Sequence, residues 1–176
     1  FPDSIYYVAP DLNQSIVSSW NCSEKVISVG NFQNRSGHIN KDLVPVSYPT
    51  PVGSLAPKSS KGPNRHDIQK PNICAAGDMS LSAYPLILLS NPAYNGAIDS
   101  NGWHGRNGGT SLASPVIAGI AALYLERCDR ATFQDFMDDL QNSAYADGFT
   151  GTVPNNAYGY GKAHALNTLL EQSLPS

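Results

Sequence analysis

A serine at position 111 stands between a glycine-rich turn and a long apolar segment. The turn is Asn107-Gly108-Gly109-Thr110, and the apolar segment runs from Pro115 to Leu125. Proline suits the first turn of a helix, where its missing N–H is not needed, and a helix that is apolar on all sides is typically buried. The unpaired N–H groups at the start of such a helix stabilise negative charge beside the hydroxyl. Ser111 is therefore a candidate nucleophile.

A plain helix cap is the competing interpretation of this stretch, since Ser114 directly before Pro115 also suits an N-cap. The complete string Gly-Thr-Ser-Leu-Ala-Ser-Pro favours chemistry, because it closely resembles the nucleophile segment of the subtilisin-like serine proteases (subtilases, peptidase family S8). In that family the pattern is Gly-Thr-Ser-x-Ala-x-Pro, and every fixed position matches. The resemblance implies that Ser111 is the nucleophile and that Gly109 and Thr110 contact the substrate.

A second part of the resemblance concerns the oxyanion, the negative oxygen that develops during attack. We predict strands at 4–9 and 25–30, and the two resemble a subtilase strand pair in order and type. In the family the first strand ends in an Asn whose side chain donates a hydrogen bond to the oxyanion. The resemblance assigns this role to Asn13, and Asn21 is the alternative.

The residues before Asn13 depart from the family pattern. Leu12 stands where subtilases usually have Gly, and the backbone there lines the pocket for the side chain that precedes the cut. The resemblance thus implies that Asp11 and Leu12 bind substrate, with a crowded pocket or a different loop path at Leu12.

The middle of the chain resembles two further subtilase landmarks. The segments 55–63 and 70–78 are similar to a Phe-Ser-Ser-x-Gly-Pro turn and to Lys-Pro-Asp-Ile-x-Ala-Pro-Gly, with Lys58, Asn72 and Ala76 as departures. We predict turns and a short central strand there.

Other elements are predicted from local patterns. We predict surface loops with one hairpin at 31–55 and a loop at 91–107. We predict an apolar strand at 84–89, with Pro85 at its start or edge.

Two helices are expected near the end of the chain. Thr132 and Asp135 form a capping-box pattern before an amphipathic helix. Asp135, Asp138 and Asp139 are expected on its solvent-exposed face rather than at a calcium site. Residues 158–166 resemble the subtilase closing signature, with His164 in place of Asn or Asp, and a final helix runs to about Leu170.

Composition places the chain among ordinary globular proteins. It has 176 residues, 41% of them hydrophobic, and a formal net charge of −3. These values fit one domain and give no support for nucleic-acid binding. The longest apolar segment is far shorter than the roughly 20 residues that span a bilayer. No signal peptide is recognisable, and because the chain opens at Phe1 without a Met, we expect a processed or excised piece.

The cysteines and sequons leave alternatives open. Cys22, Cys74 and Cys128 allow one disulfide and one thiol, or three thiols, and their spacing does not suggest a metal site. Asn13, Asn21 and Asn34 fit the glycosylation sequon.

Two of the three groups of a subtilase triad are missing from the sequence. The family carries its Asp in Asp-Thr/Ser-Gly and its His in His-Gly-Thr-His, both before the Ser, and neither motif occurs here. The resident histidines, at positions 38, 66, 104 and 164, are expected in other roles, and His104 is the first to check as a base. We therefore expect a second chain or segment to supply His and Asp.

Three functional interpretations follow. The first is a serine endopeptidase, of which residues 1–176 form the C-terminal portion of one catalytic domain. The second is an α/β-hydrolase-type esterase with Asp147 and His164 completing a triad, although the residues before Ser111 lack the apolar strand that such an elbow needs. The third is an inactive subtilase relative that serves as a binding or structural module.

We favour the first interpretation, a serine endopeptidase. The resemblance implies an α/β, three-layer fold with a mostly parallel sheet and a polypeptide substrate. It implies no cofactor for the chemistry, leaves structural calcium open, and suggests secretion.

Overall fold

The computed structural model describes residues 16–171. The strand predicted at 4–9, together with Asp11, Leu12 and Asn13, lies outside the described residues. Six strands are described: β1 Val29–Gln33, β2 Gly37–Ile39, β3 Pro45–Ser47, β4 Ile73–Asp78, β5 Ser80–Ala83 and β6 His104–Asn107. Four α-helices are described: α1 Leu86–Leu89, α2 Thr110–Arg127, α3 Phe133–Asn142 and α4 Ala165–Leu170.

A parallel pair of strands, β1 and β4, lies beside helix α2, which carries the candidate nucleophile Ser111. Val29 pairs with Ile73 and Gly30 with Cys74. The strand predicted at 25–30 instead begins at Val29, because Ser28 is held by Asn72: the Ser28 amide donates to Asn72 Oδ1 at 2.8 Å. The central strand predicted between 70 and 78 is confirmed as β4.

The remaining strands form two antiparallel pairs. The hairpin predicted within 31–55 is confirmed, with β2 pairing with β3. The segment 91–107 is not entirely a loop, because its last four residues form β6 against β5. This pairing sets the position at which the chain enters the turn before Ser111.

The strand predicted at 84–89 is wrong, because most of this segment forms the short helix α1. The carbonyl of Pro85 accepts hydrogen bonds from the amides of Leu88 and Leu89. Leu86 and Ile87 are 73% and 77% exposed, so this apolar run does not lie in a sheet core.

Helix α2 buries one side only. Ala113, Ile117, Ile120 and Tyr124 are buried in a core shared with β4 and α3. Away from this core, Val116, Leu123 and Leu125 are between 42% and 50% exposed. The expectation that the helix is buried all round is therefore wrong for the part of the chain described, because nothing in residues 16–171 covers these side chains.

Helix α3 confirms the capping box, since the side chains of Thr132 and Asp135 each bond to the other residue's backbone amide. One of its three aspartates differs from expectation. Asp139 is 7% exposed and accepts a hydrogen bond from Tyr124, because the helix turns this position towards α2. The closing helix is confirmed as α4.

The three cysteines are all free thiols, which settles the alternatives left by the sequence. Burial raises the pKa of the Cys74 thiol to about 12, and nearby Lys162 opposes this only partly. The described helices include none that is both long and apolar enough to cross a bilayer.

Candidate active site

Ser111 occupies the second position of α2 and is exposed. Gly109 precedes the helix with φ 126°, a backbone region that favours glycine. Its carbonyl accepts from the amide of Leu112 at 3.0 Å, whereas the amide of Ser111 has no acceptor within residues 16–171. The site therefore presents an exposed hydroxyl beside an unused N–H at the positive end of a helix dipole.

The start of α2 differs in one respect from expectation. The helix begins at Thr110, so Ser114 and Pro115 lie inside it and Ser114 does not cap it. Pro115 is in the second turn rather than the first. Because proline has no N–H, the carbonyl of Ser111 lacks the helical hydrogen bond that residue 115 would otherwise donate.

Strand β4 supports the first turn of α2 at close range. A Cβ on Gly77 would lie 2.5 Å from the Ala113 amide nitrogen and 2.7 Å from Asn31 Oδ1. Asn31 is fully buried, and within residues 16–171 neither its Oδ1 nor its Nδ2 has a hydrogen-bond partner. A polar side chain without a partner among the described residues thus lies next to the backbone that carries the candidate nucleophile Ser111.

A cavity of about 170 Å³ lies at the start of α2 and brings two predicted site residues together. Thr110 and Ser114 line it on the helix side, and Asn21 lines it from the loop that precedes β1. Asn21, the alternative oxyanion residue, is therefore near the helix start. Asn13, the first choice, is outside the described residues.

Each of the four described histidines forms a hydrogen bond with a residue other than Ser111. His104 is exposed and lies 3.1 Å from the Asn101 amide, and His38 Nδ1 lies 2.6 Å from the Tyr48 hydroxyl. His66 accepts from the Arg65 guanidinium at 3.3 Å, and His164 caps α4. None of these contacts prepares a resident histidine as the base.

The esterase triad is not brought together either. Asp147 forms an ion pair of 2.5 Å with Lys162, and His164 accepts from the Asn167 amide at 3.2 Å. A strand does precede Ser111, contrary to expectation, but β6 is antiparallel to β5 and only Gly105 within it is buried. It is therefore not the buried strand that an elbow requires.

A buried lysine within an aromatic cluster is a feature that sequence reasoning misses. Lys162 is 1% exposed, and its ammonium lies 4.8 Å from the ring centroid of Phe32 and 5.5 Å from that of Phe149. The only sequence signal is its place within the closing segment 158–166.

The described residues contain no group of three or more His, Cys, Asp or Glu side chains placed to hold a metal ion.

Comparison with known proteins identifies the family. The model of the subtilase family, Peptidase_S8, matches residues 10–161. The chain belongs to the subtilase family. Serine protease AprX of Bacillus subtilis is 31% identical over 160 residues, which cover 87% of this chain and 31% of that protein. Bacillopeptidase F of the same organism is 32% identical over 119 residues, or 65% of this chain and 7% of that protein.

Solved protease structures show the same fold. The prenylagaramide maturation protease PagA superimposes with a TM-score of 0.58 at 20% identity, covering 92% of this chain and 48% of PagA. Fervidolysin from Fervidobacterium pennivorans, a keratinolytic enzyme related to subtilisin, superimposes with a TM-score of 0.56 at 21% identity. The match covers 86% of this chain and 20% of the fervidolysin chain. The predicted subtilisin-like α/β fold is confirmed, and this subtilase chain spans about a third or less of the curated relatives.

Proposed function

We propose that this chain is the nucleophile-bearing portion of a serine endopeptidase that hydrolyses peptide bonds. The observation that carries the proposal is Ser111, which is exposed at the start of α2 and lies beside its own unused amide N–H. The family string around it, Gly-Thr-Ser-Leu-Ala-Ser-Pro, supports the same role.

The proposed reaction is acyl transfer to Ser111. The Ser111 hydroxyl attacks the scissile carbonyl, and a histidine outside this chain accepts its proton and then donates it to the leaving amine. The Ser111 amide and the Asn13 side chain donate hydrogen bonds to the oxyanion. Water then hydrolyses the acyl-enzyme and regenerates the hydroxyl.

The partner proposed for this chain is the portion of the same protease that carries the catalytic His and Asp. Exposed apolar side chains of α2 support this, because Val116 and Leu123, seven residues apart and so on one side of the helix, are 42% and 50% exposed. The substrate is a polypeptide. The proposed chemistry uses no cofactor, and we propose that the protease is secreted.

Fluorophosphonate labelling tests the proposal. The complete protease, with the segment that supplies His and Asp, is treated with the probe and analysed by intact mass and peptide mapping. We expect one adduct on Ser111, loss of the adduct and of peptide cleavage in Ser111→Ala, and retention of both in Ser114→Ala, which changes a neighbouring serine of the same helix.

A different labelling result separates the alternatives. If the complete protein takes up no probe while its fold is intact, the inactive binding module becomes the better interpretation. Cleavage that persists in Ser111→Ala would show that another residue is the nucleophile.

A further inference from the structure

A second cavity, of about 340 Å³, opens beside the turn that leads to Ser111. Asn107 and Gly108 form one side of it, and Tyr48, Lys58 and Asp78 contribute to the others. Because Asn107 and Gly108 are only four and three residues before Ser111, a peptide held at the nucleophile can extend into this space. We call it the turn cavity.

Three neutral polar side chains of the turn cavity already have a hydrogen-bond partner within the protein. Gln33 Nε2 donates to the carbonyl of Arg35 at 2.6 Å, and the Tyr48 hydroxyl bonds to His38 at 2.6 Å. Asn107 Oδ1 accepts from the Gly108 amide at 2.8 Å. Each of these three side chains therefore has at least one hydrogen bond without a ligand.

Two charged side chains of the cavity are not engaged. In the part of the chain that the structure describes, neither Asp78 nor Lys58 forms a side-chain hydrogen bond or ion pair, and they are not paired with each other; the two ion pairs found there lie elsewhere. The cavity therefore presents one carboxylate and one ammonium to whatever enters it.

The carboxylate is the more firmly positioned of the two charges. Asp78 is half-buried at the end of β4, and Met79, which follows it at φ 56°, links that strand directly to β5. Lys58 is exposed on a loop, so its long side chain can turn to solvent at little cost.

The glycine at position 108 makes room for this carboxylate. A Cβ on Gly108 would overlap Asp78 Oδ1 and would approach the Met79 amide nitrogen to 3.4 Å. The turn before Ser111 and the carboxylate are thus in direct contact, which places a fixed negative charge at the edge of the proposed active site.

We propose that Asp78 is a specificity-determining residue that binds a lysine or arginine side chain of the peptide substrate in the turn cavity. The inference rests on the proposed function and names its substrate class. A half-buried carboxylate held by a strand attracts a cation more strongly than one in bulk water, and a guanidinium can bond to both of its oxygens.

The test compares peptides that differ by one charge. The complete protease is assayed with a hexapeptide series in which a single lysine, or norleucine as its uncharged match, occupies each of three positions on either side of the scissile bond. We expect lysine to be preferred at one position, and Asp78→Asn to lower the lysine-to-norleucine ratio of kcat/KM there by about five-fold.

Three further variants separate the effect of charge from effects on folding. Asp78→Glu keeps the charge and should keep the preference, so a loss seen only in Asp78→Asn is a loss of charge. Lys58→Gln removes the opposing ammonium and should raise the ratio. Asp138→Asn neutralises a carboxylate on α3, outside the cavity, and should leave the ratio unchanged.

A binding measurement separates this inference from the proposed function. Fluorescein-labelled lysine and norleucine peptides are titrated into Ser111→Ala, with and without Asp78→Asn, and followed by anisotropy. Preferential lysine binding that depends on Asp78 supports the inference even if no peptide is cleaved. Equal binding of the two peptides, or a preference that survives Asp78→Asn, overturns it.

Discussion

The Tyr124 hydroxyl donates a hydrogen bond of 2.7 Å to the carboxylate of Asp139, and so joins helix α2 to α3. Both residues are almost entirely buried. Burial, together with the hydrogen bond to Asp139 and the negative charge of that carboxylate, raises the pKa of Tyr124 well above its ordinary value. The phenol is therefore protonated, and a hydrogen-bond donor, at neutral pH.

Removal of this donor is expected to destabilise the protein. Tyr124→Phe leaves a buried carboxylate without its partner, which costs about 2 kcal/mol for a hydrogen bond to a charged group. Urea unfolding of the complete protease measures the loss. Tyr160→Phe, at a ring that is 38% exposed, should change stability by less than about 0.5 kcal/mol; equal losses from both variants would contradict the prediction.

The ion pair between Lys162 and Asp147 is expected to respond asymmetrically to mutation. Lys162 is 1% exposed and Asp147 is 35% exposed, so Asp147→Asn leaves an uncompensated buried ammonium, whereas Lys162→Met places an apolar chain among aromatic rings. We expect Asp147→Asn to cost about 2 kcal/mol and Lys162→Met less, because aromatic rings near the ammonium replace only part of the lost counter-charge. Thermal unfolding shows which variant loses more stability. A larger loss in Lys162→Met than in Asp147→Asn would refute the prediction.

Asp147 also predicts that the free energy of unfolding decreases at acid pH. Burial alone raises the pKa of Asp147, but hydrogen bonds from Lys162 and from the amides of Phe149 and Thr150, together with the positive charge of Lys162, lower it below the ordinary value. Its contribution is therefore complete above the ordinary pKa of 3.8 and is lost as pH falls through the folded value. Asp147→Asn should flatten this part of the profile of unfolding free energy against pH.

His38 predicts a second pH dependence, at higher pH. Burial and the nearby Arg106 charge lower its pKa from 6.5, although Asp99 opposes them. Between the folded and unfolded pKa values the unfolded chain binds more protons, so stability falls as pH drops below about 6.5. The difference in urea midpoint between about pH 7.5 and about pH 5 should shrink in His38→Gln and persist in His66→Gln, because His66 is exposed.

Gly109 predicts an effect on activity rather than on stability. At φ 126° an alanine is strained, and the turn can relax only by moving Ser111 and its amide. We expect Gly109→Ala to slow fluorophosphonate labelling of Ser111 by about ten-fold, which corresponds to about 1.4 kcal/mol. Wild-type labelling with an unchanged unfolding midpoint would show that the turn tolerates the side chain.

Asn31 predicts a stabilising substitution. Because neither end of its buried amide has a partner among the described residues, Asn31→Leu removes an unpaired polar group while keeping the same number of side-chain heavy atoms, and the free energy of unfolding should rise by about 1 kcal/mol. Asn40→Leu is the matched control. Asn40 is also buried, but its Oδ1 accepts from the amides of Asp42 and Val44, so that variant should be destabilised.

Some local elements can be read from the sequence because neighbouring residues determine them. The capping box of Thr132 and Asp135 and the helix that carries Ser111 depend on contacts three or four residues apart, which a sequence displays directly. Segment 84–89 shows the limit of such local patterns. Its apolar run suits a strand, yet a strand needs a partner edge, and the described fold provides none there.

The linear order of residues was enough to predict the subtilase family, the candidate nucleophile Ser111 and the absence of the family's His and Asp motifs from this chain. Which charges meet became known only from the folded chain. There Asp139 is buried against Tyr124, Lys162 is paired with Asp147 within aromatic rings, and Asp78 lies against Gly108, thirty residues later in the chain. These contacts depend on how strands and helices pack, because hydrophobic periodicity determines the faces of each element but not its neighbours.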